Sequence, residues 1–227
     1  KNSGIEENTL IIFTSDNGCS PQADFADLIE KGHNPSAIYR GHKADIFEAG
    51  HRVPFVAKWP KVIQSGTINN QTICTTDFAA TVAAVSGYNL QENEAEDSFN
   101  LMPLLTQEFK GDLFREGTIH HSINGSFAIR QGAYKLIMCG GSGGWSFPTP
   151  NSSEVKDSLP KIQLYNLSMD PGEKNNLQAE LPAKVEELKA LLSKYIKNGR
   201  SNPGPAQKND TGEHWKQLWW MEANIDN

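Results

Sequence analysis

An apolar run, Thr9-Leu-Ile-Ile-Phe13, passes almost directly into Ser15-Asp16-Asn17-Gly18, and this junction constrains the fold more than any other feature of the chain. A continuous apolar run without polar alternation reads as a strand buried on both faces, the central kind in a helix-covered parallel sheet. A strand of that kind so near Lys1 raises the expectation that its neighbours come from preceding sequence. The run hands over to a turn signal at its carboxyl end, where open α/β sheets place their ligands. Asp16 and Asn17 there offer a carboxylate and an amide carbonyl, two hard oxygen donors suited to Ca²⁺ or Mg²⁺ rather than to a soft metal. Taken alone, Asp-Asn-Gly is also a common Asx-type turn.

Downstream, the pattern predicts a short helix over Ala23–Glu30, a buried strand over Val53–Trp59 closed by Pro60, and a helix over Phe78–Val85 capped by Thr76 or Asp77 and stopped by Gly87. Strand, loop, strand, helix is an α/β order. An acidic, turn-rich stretch from Asn89 to Asp112 marks a boundary, dividing the chain into 1–112 and 113–227. Beyond it the rhythm is short strands, Thr118–Ile123, Ser126–Arg130, Tyr134–Cys139 and Ile162–Leu167, with Asn124-Gly125 as a hairpin signal. Leu181–Ile196 has helical periodicity, with Pro182 early and Gly199 just past its end. The expected fold class is therefore α/β: part of a helix-flanked, mainly parallel sheet, then a small four-stranded antiparallel sheet with a C-terminal helix on one face. Within the Gly/Ser/Pro-rich loop Gly140–Pro160, the run Gly140-Gly-Ser-Gly-Gly144 reads as a flexible connector and a candidate border of the substrate pocket, and the Trp-rich tail Trp215–Met221 as a segment that docks on the fold or stacks on a sugar ring.

A formal net charge of −6 and the lack of any dense basic run argue against a nucleic-acid partner. No apolar stretch reaches the roughly 18 residues needed to cross a bilayer. Cys19, Cys74 and Cys139 are odd in number and show no Cys-x-x-Cys spacing, so neither a disulfide framework nor a zinc site is indicated.

One ordered series carries more. Ile12-Phe-Thr-Ser-Asp-Asn-Gly18, Arg40-Gly-His-Lys43, Glu48-Ala-Gly-His-Arg-Val-Pro54, Ile129-Arg-Gln-Gly-Ala-Tyr-Lys-Leu-Ile137 and Leu164-Tyr-Asn-Leu-Ser-Met-Asp-Pro-Gly-Glu-Lys-Asn-Asn-Leu177 follow one another. That series resembles the C-terminal half of type I sulfatases of the alkaline-phosphatase superfamily. The resemblance implies that Asp16 and Asn17 complete a divalent-metal site, Ca²⁺ ahead of Mg²⁺, whose other ligands lie near the N-terminus of the complete protein. It implies that Lys43 reaches a sulfate oxygen, as a catalytic and substrate-binding group, and that the nucleophile is a formylglycine in the missing N-terminal half. Family analogy also places the complete protein in the periplasm or outside the cell.

The same resemblance limits other residues. Cys19-Ser-Pro-Gln-Ala23 mimics the signature Cys-x-Pro-x-Arg, but Ala23 replaces its arginine and the segment lies on the wrong side of the metal pair. Cys19 is thus an ordinary loop thiol, and the chain alone is expected to be inactive. Glu48 and Arg52 read as an ion pair bracing the loop behind Lys43. Ala49 stands where the family often has glycine, a departure that matters if the position needs a positive φ. His33 and Arg40 are retained as substrate-binding candidates for specificity. His120 and His121, adjacent on a strand, must point to opposite faces and cannot readily chelate one ion. The expected activity is hydrolysis of a sulfate ester, on a sulfated small molecule or glycan. The alternatives are a phosphodiester or phosphonate ester hydrolase of the same superfamily, or a non-catalytic binding module retaining the fold.

Overall fold

A computed structural model describes residues 3–210 and 215–222, with the backbone alone for Glu222. The first part contains β1 (Ile11–Thr14), α1 (Phe25–Glu30), β2 (Phe55–Lys58), α2 (Phe78–Ser86) and α3 (Met102–Leu105). The second contains β3 (Thr118–His121), β4 (Phe127–Gln131), β5 (Tyr134–Ile137), α4 (Ser153–Asp157), β6 (Gln163–Asn166), α5 (Pro182–Asn198) and α6 (Trp219–Glu222). Among the described residues no helix is long and apolar enough to cross a membrane.

The α/β reading stands, with one correction of detail. β1 and β2 pair antiparallel, Thr14 opposite Phe55 and Ile11 opposite Lys58, and no parallel pair occurs among the described residues. The cause is local: the Gly18 N–H donates to the Gly50 carbonyl at 3.0 Å, so the loop returns to the end of β1 that it left. Nor is β1 covered on both faces. Ile11, Phe13 and Val56 share one exposed face of the pair, while Ile12, Thr14, Phe55 and Ala57 on the other are half-buried.

The second sheet runs in the order β3-β4-β5-β6, antiparallel throughout. Side chains alternate across it with period two. Ile129, Leu136 and Leu164 form one row and pack against Val185, Leu188, Leu191, Leu192 and Tyr195 of α5. Pro182 opens that helix, and Gly199 closes it with φ near +60°, where the Arg200 N–H returns to the Tyr195 carbonyl. Trp220 inserts into the same core and the Trp219 indole N–H donates to the Met138 carbonyl, so the tail seals the sheet.

The opposite face has a cover of its own. Ala128, Ile137 and Tyr165 point the other way and bury Ile46 and Phe47 of the loop before β2. A sheet with apolar residues in both registers needs two covers, and the segment carrying Lys43 provides the second. That packing positions the site.

Candidate functional site

β1 delivers Asp16 and Asn17 to solvent at its carboxyl end. The Ser15 hydroxyl donates to the Asn17 carbonyl at 3.0 Å, and the Asn17 side-chain N–H₂ donates to the Gly18 carbonyl at 3.0 Å. With its nitrogen so engaged, Asn17 keeps its amide oxygen as a free acceptor beside the exposed Asp16 carboxylate. This donor set fits a hard divalent cation, although two oxygens are far from the 6–8 that Ca²⁺ takes. A Cβ on Gly18 would stand 1.6 Å from the Ala49 carbonyl oxygen, so only glycine lets the two segments touch. The adjoining backbone closes the contact: the Lys43 N–H donates to the Cys19 carbonyl at 2.9 Å. The Asp16-Asn17 turn and the backbone of Lys43 therefore share one rim, while of these three residues only Asp16 lines the cleft behind it.

The Lys43 loop is held from the second sheet. Ala44 sits at φ +82°, a costly value for a residue with a Cβ, and its carbonyl accepts from the Ile123 N–H at 2.9 Å. The buried Asp45 carboxylate accepts from the backbone N–H groups of His42, Trp145 and Ser146 at 2.9, 2.8 and 3.0 Å. Ile46 N–H donates to the Ser142 carbonyl at 2.8 Å. Ala49 does not need a positive φ; it lies in a 3₁₀ turn, Glu48–Gly50, and costs the loop nothing.

Behind this loop lies a charge cluster that the sequence suggested only in part. Arg52 pairs with Glu48 as expected, with its Nε 2.9 Å from Oε2. Lys135, fully buried on β5, places its Nζ 3.1 Å from Glu48 Oε1, 3.0 Å from Glu173 Oε1 and 3.2 Å from His51 Nε2. An ammonium can only donate, so His51 Nε2 accepts and its proton resides on Nδ1. Glu173 also accepts from the Glu48 backbone N–H at 2.7 Å. The two carboxylates shift in opposite directions. Burial alone would raise Glu48, but the Lys135 ammonium, with His120, Arg52 and His51, carries it well below the usual carboxylate range. For Glu173 burial outweighs the Lys135 ammonium and keeps its pKa raised.

His51 and His120 stack with centroids 4.2 Å apart and planes 7° from parallel. Burial foremost, then nearby positive charge, holds His120 near a pKa of about 3 and pushes His51 well below its ordinary value, so both rings are neutral at pH 7. Alternation on β3 is as expected: His120 joins His51, while His121 packs edge-on against Phe127 at 4.3 Å. Ligand-type atoms of Glu48, His51 and His120 lie within 4.8 Å of one another, close enough to hold an ion. Two features argue that they serve as a brace. Lys135 already supplies positive charge to Glu48 and takes the His51 lone pair, and stacked imidazoles keep their lone pairs in parallel planes. Asp16, Glu48, His51, Arg52, His120 and Arg130 contribute to one cleft of about 410 Å³.

The remaining candidates lie apart from that cleft. The Arg40 guanidinium donates to the Glu173 carbonyl at 2.9 Å and lies 3.8 Å from the centre of the Phe47 ring, which ties it to the brace. His33 is exposed just after α1, its backbone N–H bonded to the Leu28 carbonyl. Cys19 is half-buried with a free thiol.

Comparison with known proteins follows the same outline. The sulfatase family model matches residues 1–88. An N-acetylgalactosamine-6-O-sulfatase of Bacteroides thetaiotaomicron is 35% identical over 192 residues, covering 83% of this chain and 36% of that protein. Human arylsulfatase A is 34% identical over 217 residues, covering 90% and 41%. A solved sulfatase structure from work on glycosaminoglycan metabolism by Bacteroides thetaiotaomicron superposes with a TM-score of 0.69 at 32% identity, covering 84% of this chain and 39% of that one. The chain thus spans 36–41% of the length of those two curated relatives.

Proposed function

Because the chain belongs to the sulfatase family, we propose that it is the C-terminal half of an enzyme that hydrolyses sulfate esters, with sulfated carbohydrates as the substrate class. The observation that carries this reading is the shared rim: the Lys43 N–H bonds to the Cys19 carbonyl, two residues after the Asp16-Asn17 pair. On this reading the Lys43 ammonium would meet an anion directly, and the two hard oxygen donors would meet it through a bound cation. Sugar sulfates are favoured because the relative of Bacteroides thetaiotaomicron is named for N-acetylgalactosamine 6-sulfate.

On this reading Asp16 and Asn17 hold one side of a divalent cation, Ca²⁺ by its preference for oxygen donors. When bound, that cation would neutralise charge on the sulfate oxygens. Lys43 donates to a non-bridging sulfate oxygen and strengthens that bond as charge develops during transfer. Ala44 and Asp45 anchor the backbone that follows Lys43, and the Glu48–Lys135–Glu173 brace holds the loop. The nucleophile, read as a formylglycine, belongs to the N-terminal half, since no intact Cys-x-Pro-x-Arg signature occurs in this chain.

The test is an assay of the complete enzyme on matched sulfate monoesters and phosphodiesters, sugar and aryl. Faster turnover of the sulfates supports the reading. Preference for the phosphodiester would move the protein to an ester hydrolase of the same superfamily, and no turnover of either would leave a binding module.

A further inference from the structure

The glycine-rich segment after β5 was expected to be a flexible connector, and its contacts are those of a built wall. The Gly144 backbone lies against Ala44, where a Cβ would stand 2.4 Å from the Ala44 carbonyl oxygen and 2.6 Å from Asp45 Oδ1. Gly143, at φ +60°, packs so closely on Ser122 that a Cβ would meet its hydroxyl at 2.6 Å. The Gln163 side-chain N–H₂ donates to the carbonyls of Cys139 and Gly141, and Ser142 N–H donates to the Pro148 carbonyl at 2.9 Å. Every one of these contacts removes freedom from the loop.

What the wall presents is aromatic. Trp145 is 44% exposed and Phe147 67% exposed, and among the described residues neither ring has an aromatic partner. Two consecutive backbone N–H groups, of Trp145 and Ser146, are pinned to one Asp45 oxygen. Asp45 is two residues beyond Lys43. The backbone that carries this exposed indole is thus tied to the segment that carries Lys43.

We propose that Trp145, with Phe147 beside it, is the stacking shelf for the pyranose ring that carries the scissile sulfate. This rests on the sugar-sulfate reading above. One face of a pyranose presents C–H groups of slightly positive charge, which suit the negative face of an indole. A rigid aromatic held at its backbone loses little conformational freedom when a ring stacks on it. Lys43 and the metal pair would then recognise the sulfate, and Trp145 the sugar.

The experiment uses the complete enzyme, a sulfated N-acetylhexosamine as substrate, and inorganic sulfate as competitive inhibitor. Trp145→Ala should raise KM for the sugar sulfate roughly tenfold. Trp145→Phe should recover most of that loss, inhibition by inorganic sulfate should be unchanged, and Tm should hold. An unaltered KM in Trp145→Ala, or weakening of sulfate inhibition as large as the change in KM, would overturn the shelf. If the parent enzyme turns over no sulfate ester and inorganic sulfate does not bind, the sulfatase reading itself fails and the shelf with it.

Discussion

Lys135 and Glu173 face each other at 3.0 Å with neither side chain exposed to solvent. The same Nζ lies 3.1 Å from Glu48, so one ammonium compensates two buried carboxylates from different segments. Removing it leaves negative charge in a site that cannot hydrate it. Lys135→Met should therefore destabilise the complete enzyme by about 3–5 kcal/mol, the cost of breaking a buried pair from one side. A second change, Glu173→Gln in the same background, should restore part of the loss, because it removes one orphaned charge. Denaturant melts of both variants measure this, and additive losses would contradict it.

Acid should act through the same cluster. His120 is neutral in the folded chain, held near a pKa of about 3 against an ordinary 6.5. The unfolded state therefore binds a proton first as pH falls below about 6.5, and stability drops across the window down to about 3. Glu48, whose folded pKa is lowered, adds a loss of the same sign once pH falls below about 4.5. Glu173, with a raised folded pKa, works the other way by favouring the protonated form in the fold. Between pH 7 and pH 5 the loss comes from His120 and His51, both with folded pKa values lowered by burial, against Glu173 alone, so Tm should fall across that window. In His120→Gln that early slope should flatten, leaving mainly the His51 contribution.

Gly18 gives a sharper test of the shared rim. Ala at this position would place its Cβ 1.6 Å from a backbone carbonyl that has no rotamer to escape through. The Gly18–Gly50 hydrogen bond must then open and carry Asp16-Asn17 away from Lys43. Gly18→Ala should cost about 1–3 kcal/mol, the usual range for overpacking. It should lower kcat/KM by far more than that loss implies, with the variant still folded by circular dichroism. A variant with full activity would show that the rim tolerates displacement.

Much of this was legible in the chain, and for identifiable reasons. Short β segments set off by turn signals such as Asn124-Gly125 located the strands of the second sheet, and Pro182 with Gly199 bracketed the long helix, because those signals are local. The ordered motif series, through its resemblance to sulfatases, is what singles out Asp16, Asn17 and Lys43 as candidates. The brace was not legible: Lys135 sits in an apolar strand, and its partners Glu48 and Glu173 come from loops far away in sequence. What hid it was the expectation of a sheet covered on one face. Once Ile46 and Phe47 cover the other, the row of His120, Ala128, Arg130, Lys135 and Ile137 becomes an interior surface. The strand β1 misled in the opposite sense, since its open face of Ile11 and Phe13 cannot be read from a run that is apolar in both registers.

Lys43 separates catalysis from folding most cleanly. Its backbone N–H bonds to Cys19, while its side chain has no ion-pair partner among the described residues. Lys43→Ala should thus leave Tm within error while lowering kcat in the complete enzyme roughly 10²–10³-fold, the range seen when one donor to a developing charge is lost. Lys43→Arg should recover only part, since a planar fork does not replace a compact ammonium at a tetrahedral anion.

Metal removal should depend on which protein is tested. Asp16 and Asn17 supply two of the 6–8 oxygens that Ca²⁺ takes, and among the described residues Asp16 joins no group of three metal-ligating side chains. Residues 1–227 alone should bind Ca²⁺ weakly, with no saturation in a calorimetric titration at micromolar ion. The complete enzyme should lose activity to a chelator and regain it with Ca²⁺. Asp16→Ala should shift that recovery to much higher ion concentration without altering the melting of the chelated form, because the exposed Asp16 carboxylate contributes little to the fold. Tight stoichiometric binding by residues 1–227 would mean that the metal site is complete on this side and that its ligands have been misassigned.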